Sequence, residues 1–136
     1  MNMKLNKLQW FILDTLVNGS EPLEQVYLDL QYDSLVSSPD VLLPEILQLS
    51  KMDFVTLRQE SLGESAGQSF ENRDIQPNAV EQVLGDLQEQ YHRFKAKGDY
   101  VKCFCDSGIP FGVYLKMSDS GRAERDRPEY ESYLND

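Results

Sequence analysis

Three stretches of apolar residues with helical spacing follow one another within the first fifty residues, each bounded by residues that start or stop helices. The first predicts a helix over residues 4–18, because its apolar side chains recur three and four residues apart. Asn18 and Gly19 end it, since glycine accepts the left-handed conformation of a helix C-terminus. The apolar residues that define this first face are Leu5, Leu8, Phe11, Ile12 and Leu16.

The second and third helices carry start signals of their own. Ser20 is expected to cap the second helix, with Pro22 in its first turn, and the helix ends near Tyr32. Ser38 and Pro39 repeat that signal for a third helix over 39–52. Pro44 lies inside this run, so the helix either kinks there or begins there. A β-branched and aromatic stretch over 54–57 then predicts a short strand.

The second half of the chain mixes one long helix with two strand-like segments. Residues 59–76 are rich in Gly, Ser and Glu without periodicity, which predicts a flexible loop. A helix is expected over 78–97, and the segments 100–105 and 111–117 have the composition of a β-hairpin. Ser118 should cap a last short helix that ends near Asp126. Residues 128–136 read as a polar C-terminal tail.

Two local patterns resemble the winged-helix domain of bacterial transcription regulators. The stretch 44–55, PEILQLSKMDFV, is similar to a recognition helix that turns into an apolar strand. The stretch 114–124, YLKMSDSGRAE, is similar to the motif that closes the wing, in which a hydroxyl residue caps a helix and a glycine packs closely. The resemblance implies a single α+β domain over 1–136, mostly helical, with a three-helix core, a hairpin wing, and an inserted loop plus helix.

The net charge of the chain indicates which class of partner it binds. The chain carries a formal net charge of −10, whereas proteins that bind nucleic acids draw most of their affinity from basic groups that neutralise phosphates. The expected recognition helix is itself acidic, with Lys51 set against Asp40, Glu45 and Asp53. These observations favour protein partners, or a second copy of the chain, over DNA, and they disfavour anionic membranes.

One basic stretch, 91–102, supports an alternative interpretation. Its cations, interleaved with aromatic residues, could contact a phosphate backbone or an acidic protein surface, or they could simply complement the C-terminal dipole of a helix. A DNA-binding regulator that uses the wing and this stretch is therefore the alternative function. The candidate contact residues are Arg93, Lys95, Lys97 and Lys102.

No constellation for catalysis or cofactor binding is found. Cys103 and Cys105 offer only two ligands where a zinc site needs four, and we interpret them as buried thiols. His92 has no second histidine or nucleophile nearby. Glycine-rich phosphate loops and nucleophile motifs are absent from the sequence. The chain is therefore predicted to be neither an enzyme nor a binder of a cofactor, metal or small-molecule substrate.

The termini provide the candidate dimer contacts. Tyr130 and Tyr133 stand among acidic residues in the tail, which could fold back onto the body or cover a partner chain. By resemblance to winged-helix proteins that dimerise through terminal segments, Trp10 of the first helix joins them as a candidate contact. With no signal-peptide pattern and no long apolar run, the chain is expected to be cytoplasmic, in a regulatory role exercised through protein contacts.

Overall fold

The computed structural model describes residues 4–61, 71–97 and 112–135. Within them the chain is an α+β protein in which helices pack against one small antiparallel sheet. Helix α1 (Lys7–Asp14) is shorter than the predicted 4–18. It starts where Asn6 and Gln9 form a reciprocal capping box, each side chain bonding the other residue's backbone N–H.

A two-residue strand replaces the predicted start of the second helix. Strand β1 (Glu21–Pro22) precedes helix α2 (Leu23–Tyr32), which has Pro22 at its N-cap and no side-chain cap. The prediction that Ser20 caps this helix with Pro22 in its first turn is therefore wrong. Pro22 lies in a strand that pairs at the edge of the sheet, where its missing N–H is tolerated.

Helix α3 (Pro39–Lys51) confirms the third predicted helix and resolves the question of Pro44. The helix begins at Pro39 and contains Pro44 in its interior, so Pro44 does not start it. The strand predicted to follow is also present, as β2 (Val55–Ser61), and it is longer than the sequence indicated. The turn between them places Asp53 at a positive φ of 62°, a left-handed conformation that non-glycine residues rarely adopt.

The segment predicted as a loop forms part of the sheet. Residues at its two ends belong to β2 and to β3 (Glu71–Asp74), which pair antiparallel from Arg58 opposite Asp74 to Ser61 opposite Glu71. A 3₁₀ turn (Pro77–Ala79) leads into helix α4 (Val80–Lys97), close to the predicted 78–97. Residues 100–105, the first strand of the predicted hairpin, lie outside the described residues, as do Cys103 and Cys105.

Strand β4 (Val113–Met117) confirms the second strand of that hairpin and lies inside the sheet, whose order is β1-β4-β2-β3. Alternate residues of β2 and β4 point inward, and these are Val55, Leu57, Val113, Leu115 and Met117. They pack with the apolar faces of the helices in one buried cluster. As predicted, Ser118 caps the next helix, α5 (Asp119–Arg125), by accepting a hydrogen bond from the Gly121 N–H.

The last described residues do not form a polar tail. Pro128–Asn135 is a 3₁₀ segment, and the Tyr130 side chain is 0% exposed within the core. Of the two alternatives for this segment, folding back onto the body is the one observed for Tyr130. None of the helices in the described ranges is long and apolar enough to cross a bilayer.

Candidate recognition surface

Helix α4 packs along one side of α3. Leu43, Pro44 and Leu47 of α3 face Leu84 and Gly85 of α4. These α3 positions are three and four residues apart and therefore share one face of the helix. Helix α4 therefore covers one side of α3, and another part of the helix, including Gln48, stays exposed to solvent.

Polar contacts at both ends of this helix pair add to the apolar packing. Asp40 accepts hydrogen bonds from the side-chain amide of Gln88, at 2.9 Å, and bonds to His92 Nε2, at 2.7 Å. At the other end the Lys51 ammonium lies 3.7 Å from the Glu81 carboxylate. The exposed ion pair contributes little, about 0–1 kcal/mol. The hydrogen bonds of Asp40 connect α3 to α4 more specifically than this ion pair does.

The ionisation of Asp40 follows from these contacts. Partial burial opposes the charged form, but the hydrogen bonds from Gln88 and His92, with the nearby charge of Lys95, outweigh it and lower the pKa of the carboxyl. Because the pKa is lower in the folded state, the stabilisation is fully present above the ordinary pKa of Asp. It is lost as the pH falls through the lowered value. The contacts through which Asp40 connects α3 to α4 are therefore intact at neutral pH.

The candidate basic stretch has partners inside the chain. The Arg93 guanidinium lies 2.7 Å from the Glu89 carboxylate one turn earlier, and the Lys95 ammonium lies 5.6 Å from the centre of the Tyr91 ring. Lys97 ends α4, and Lys102 falls outside the described residues. Of the four predicted contact residues, the structure thus describes the side chains of two, and one of these has its charge paired with an acid.

Trp10 and Tyr130, two of the three predicted dimer contacts, lie inside the protein. Trp10 is 4% exposed, its indole N–H donates to the Arg125 carbonyl at 3.1 Å, and the Arg125 guanidinium lies 5.2 Å from its ring centre. The Tyr130 hydroxyl accepts a hydrogen bond from the Leu5 N–H at 3.1 Å and donates to the buried Glu124 carboxylate. Both side chains therefore form contacts between the first and the last segments of the described chain.

Tyr133, the third predicted contact, is partly buried and reaches the surface. Its hydroxyl donates to the Leu5 carbonyl at 2.8 Å, and its ring centre lies 5.7 Å from that of Tyr130. It also lines a cavity of about 290 Å³ between α1, the turn after α2 and the 3₁₀ segment. We name this the terminal cavity, and its lining residues are Lys7, Phe11, Asp33, Leu35, Tyr133 and Leu134.

One exposed apolar side chain lies in the wall of the terminal cavity, and another precedes a lining residue in the sequence. Leu134, in its wall, is 60% exposed, and Tyr32, the residue before Asp33, is 90% exposed. Among the described residues Val41 is the other large apolar side chain with comparable exposure. Apolar surface that a chain leaves in water beside a concave site is typical of places where proteins bind other molecules.

A larger cavity of about 530 Å³ is bordered by β2, by β4 and by the turn before α4, and both polar and apolar side chains line it. Its charges are balanced, since Arg58 and Lys116 face Asp53 and Asp74, and Arg58 pairs with Asp74 at 3.2 Å. The hydroxyl of Ser118 is bonded to the Asp53 carbonyl at 2.6 Å. No group of three His, Cys, Asp or Glu side chains suited to a metal occurs among the residues that the structure describes. This second cavity therefore offers no concentrated charge for a ligand.

The sequence analysis named Tyr133 as a candidate dimer contact but did not predict the terminal cavity that it lines. Phe11, Leu35 and Leu134 come from three distant segments: apolar periodicity assigns Phe11 to a core, and Leu35 lies in a stretch that the sequence indicates as a turn. Tyr32 carried one usable signal, because it is an aromatic residue placed after the last inward-facing position of α2, next to Asp33 and Ser34.

Comparison with known proteins identifies no relative of this chain, since no family model, no curated protein and no solved structure matches it.

Proposed function

We propose that this chain is a non-enzymatic recognition domain of winged-helix type that acts in a regulatory role through contact with protein. The fold relationship is supported by the order of the elements, in which three helices precede an antiparallel strand pair, β2 and β4, with α4 inserted between those strands. The observation that carries the proposed activity is the terminal cavity, with Leu134 in its wall and Tyr32 beside it left in water.

The alternative, a DNA-binding regulator, has less support. Helix α3 carries more acidic than basic side chains, and the cation of Arg93 is paired with Glu89. A protein of net charge −10 needs a local basic surface to attract phosphates. Among the side chains that the structure describes in 91–97, Lys95 is the remaining lysine or arginine, and it lies over Tyr91.

Titration of a labelled mixed-sequence duplex tests the alternative. We expect no saturable change in fluorescence anisotropy up to about 100 μM protein, the weak end of non-specific DNA affinity, even at low salt. Binding that weakens steeply with added salt would contradict this expectation. The triple variant Arg93→Glu, Lys95→Glu, Lys97→Glu would then be compared with the unsubstituted protein, and loss of that binding would assign DNA to this stretch.

Site-specific photo-cross-linking tests the proposed function directly. We expect a photoreactive residue at position 134 to form discrete adducts with protein in cells, because Leu134 borders the terminal cavity. The matched control is the same residue at position 48, since Gln48 is exposed on α3 and lies outside the lining of that cavity. Adducts at 134 but not at 48 support the proposal. Equal yields at both positions, or none at either, would contradict it.

A further inference from the structure

An asparagine followed by a glycine lies between helix α1 and strand β1. Asn18, Gly19 and Ser20 are all exposed and belong to neither a helix nor a strand. Among the residues that the structure describes, the Asn18 side-chain amide has no hydrogen-bond partner. Asn18 is also the only asparagine in the sequence that precedes a glycine. Because glycine has no Cβ to shield its backbone nitrogen, that nitrogen can approach the side chain before it closely.

The geometry at Gly19 leaves its backbone nitrogen accessible. The Gly19 N–H donates to the Leu16 carbonyl over 3.3 Å, which is beyond the usual limit of about 3.2 Å for a strong bond of this kind. Gly19 has a positive φ of 134°, and an added Cβ there would meet no described atom within 4 Å. The space around Gly19 therefore allows the rotation that brings its nitrogen to the Asn18 side chain.

We propose that Asn18 is a site of spontaneous deamidation, at which the chain acquires a carboxylate without an enzyme. The Gly19 nitrogen gives its proton to the solvent and attacks the Asn18 Cγ. A bond forms between these two atoms while the bond from Cγ to the side-chain nitrogen breaks, so ammonia leaves with a proton from the solvent and a succinimide ring remains. Water then adds to one of the two ring carbonyl carbons. Opening at the main-chain carbonyl gives isoaspartate, and opening at Cγ gives aspartate.

A carboxylate at position 18 would have a cation nearby. The Arg122 guanidinium donates to the carbonyl of Val17, the residue directly before Asn18, at 3.1 Å. A negative charge just after a helix opposes the helix dipole, but attraction to Arg122 offsets this effect. We therefore expect the fold to tolerate aspartate at this position, with the net charge lower by one than its present −10.

The isoaspartyl product is expected to disturb the edge of the sheet. Residues 17–20 alone separate the buried side chain of Leu16 from Glu21, which pairs with Leu115 of β4. Isoaspartate adds one methylene group to the main chain within this short span. The register between β1 and β4 then requires a distortion on one side or the other, so the pairing of β1 is expected to loosen.

Peptide mapping of the folded full-length protein, after incubation in mildly alkaline buffer, tests the proposal. Replacement of –NH₂ by –OH raises the mass of the peptide that contains position 18, and electron-transfer fragmentation distinguishes aspartate from isoaspartate. We expect the reaction at Asn18 to be at least about tenfold faster than at Asn6, which corresponds to a modest difference in barrier. Asn6 is the internal control because its side chain is held in the capping box and by a bond to Glu45. The rate should rise with pH, since the attacking nitrogen must lose its proton.

Two variants separate the reaction from its consequences. Asn18→Gln should abolish the modification, because the longer side chain has to close a larger and less favourable ring. Asn18→Asp carries the product charge without the added methylene group, and it is expected to unfold at the same urea concentration as fresh protein. The purified isoaspartyl form should instead show faster hydrogen exchange in β1 and a lower urea midpoint.

Several outcomes would overturn the proposal. Equal rates at Asn18 and Asn6 would do so. A rate in the folded protein more than about tenfold below that of the chain unfolded in urea would do so as well, since the fold would then protect the site. An isoaspartyl form with the hydrogen exchange and urea midpoint of fresh protein would contradict the predicted effect on β1. None of these measurements involves a partner protein, so this inference and the proposed function stand or fall separately.

Discussion

Replacing Gly121 with alanine is expected to lower the free energy of unfolding by about 3 kcal/mol, the upper part of the range for overpacked sites. A Cβ atom at this position would lie 3.0 Å from the carbonyl carbon of Phe54 and closer still to its oxygen. The close approach brings the start of α5 against the turn before β2. Alanine can fit only if one of these two backbone segments moves.

Neither segment is free to move. The Phe54 carbonyl accepts a hydrogen bond from the Ser118 N–H at 3.0 Å, and the hydroxyls of Ser118 and Ser120 both donate to the Asp53 carbonyl, at 2.6 and 2.8 Å. The Gly121 N–H is itself bound by the Ser118 hydroxyl. A shift large enough to admit a methyl group would stretch several of these bonds at once.

Urea unfolding followed by tryptophan fluorescence measures this effect, because Trp10 is the sole tryptophan and is buried. Gly85→Ala is the matched control. Gly85 lies within α4, and an added Cβ there meets nothing within 4 Å. Alanine is the better helix former by about 1 kcal/mol, so the control should stabilise the protein. A Gly121→Ala midpoint equal to that of the unsubstituted protein would refute the packing argument.

Tyr130→Ala is expected to have an effect of similar or greater size, a loss of about 4 kcal/mol. The ring is completely buried, and truncation of such a side chain removes its packing and leaves a cavity. The hydroxyl also joins two groups that are largely shielded from water, the Leu5 N–H and the Glu124 carboxylate. Tyr130→Phe keeps the ring and removes these bonds, so it should cost about 1–3 kcal/mol.

The difference between the two variants separates packing from hydrogen bonding. Glu124 keeps its contact with the Arg127 guanidinium at 3.0 Å in both, so its charge is not left without a partner. Tyr32→Ala, measured in dilute protein, is the control for loss of a tyrosine and should change stability by less than about 0.5 kcal/mol. If Tyr130→Ala behaved like Tyr32→Ala, the 3₁₀ segment would not be packed as described.

Alkaline pH should reduce the stability that the Tyr130 hydroxyl contributes to the fold. Burial and the hydrogen bond donated to Glu124 raise the pKa of Tyr130 above its ordinary value of 10.0. The neutral hydroxyl therefore stabilises the fold fully below pH 10.0, and this contribution is lost as the pH rises through the raised pKa. The gap in stability between the unsubstituted protein and Tyr130→Phe is expected to narrow over that range.

Local signals in the sequence sufficed for several elements. Ser38 and Pro39 marked the start of α3, and Ser118 was correctly assigned as the cap of α5. The sequence also indicated a close approach at Gly121, but against the strand that precedes the helix, whereas the close neighbour is Phe54 in the turn before β2. In each case the deciding interaction lies within a few residues, or the residue type itself carries the constraint.

The features that the sequence did not predict depend on contacts between residues that are far apart in the chain. Strand β1 is a Glu-Pro pair and β3 reads Glu-Asn-Arg-Asp, so neither has apolar alternation, and both are strands because a neighbouring strand binds their backbone. Tyr130 stands among polar residues and is buried because Leu5, 125 positions away, lies beside it. Likewise, the coverage of α3 by α4 and the assembly of the terminal cavity depend on how segments meet.

The order of the strands determines when this protein can finish folding. Strand β4 lies between β1 and β2, yet it is the last of the four described strands to be made, so more than four fifths of the chain precedes the strand that pairs with both. Contacts between such distant residues close large loops and slow folding. A ribosome paused before residue 113 would therefore hold a chain that contains helices α1 to α4 but not the strand that completes the sheet, a state that exposes apolar surface to chaperones and proteases.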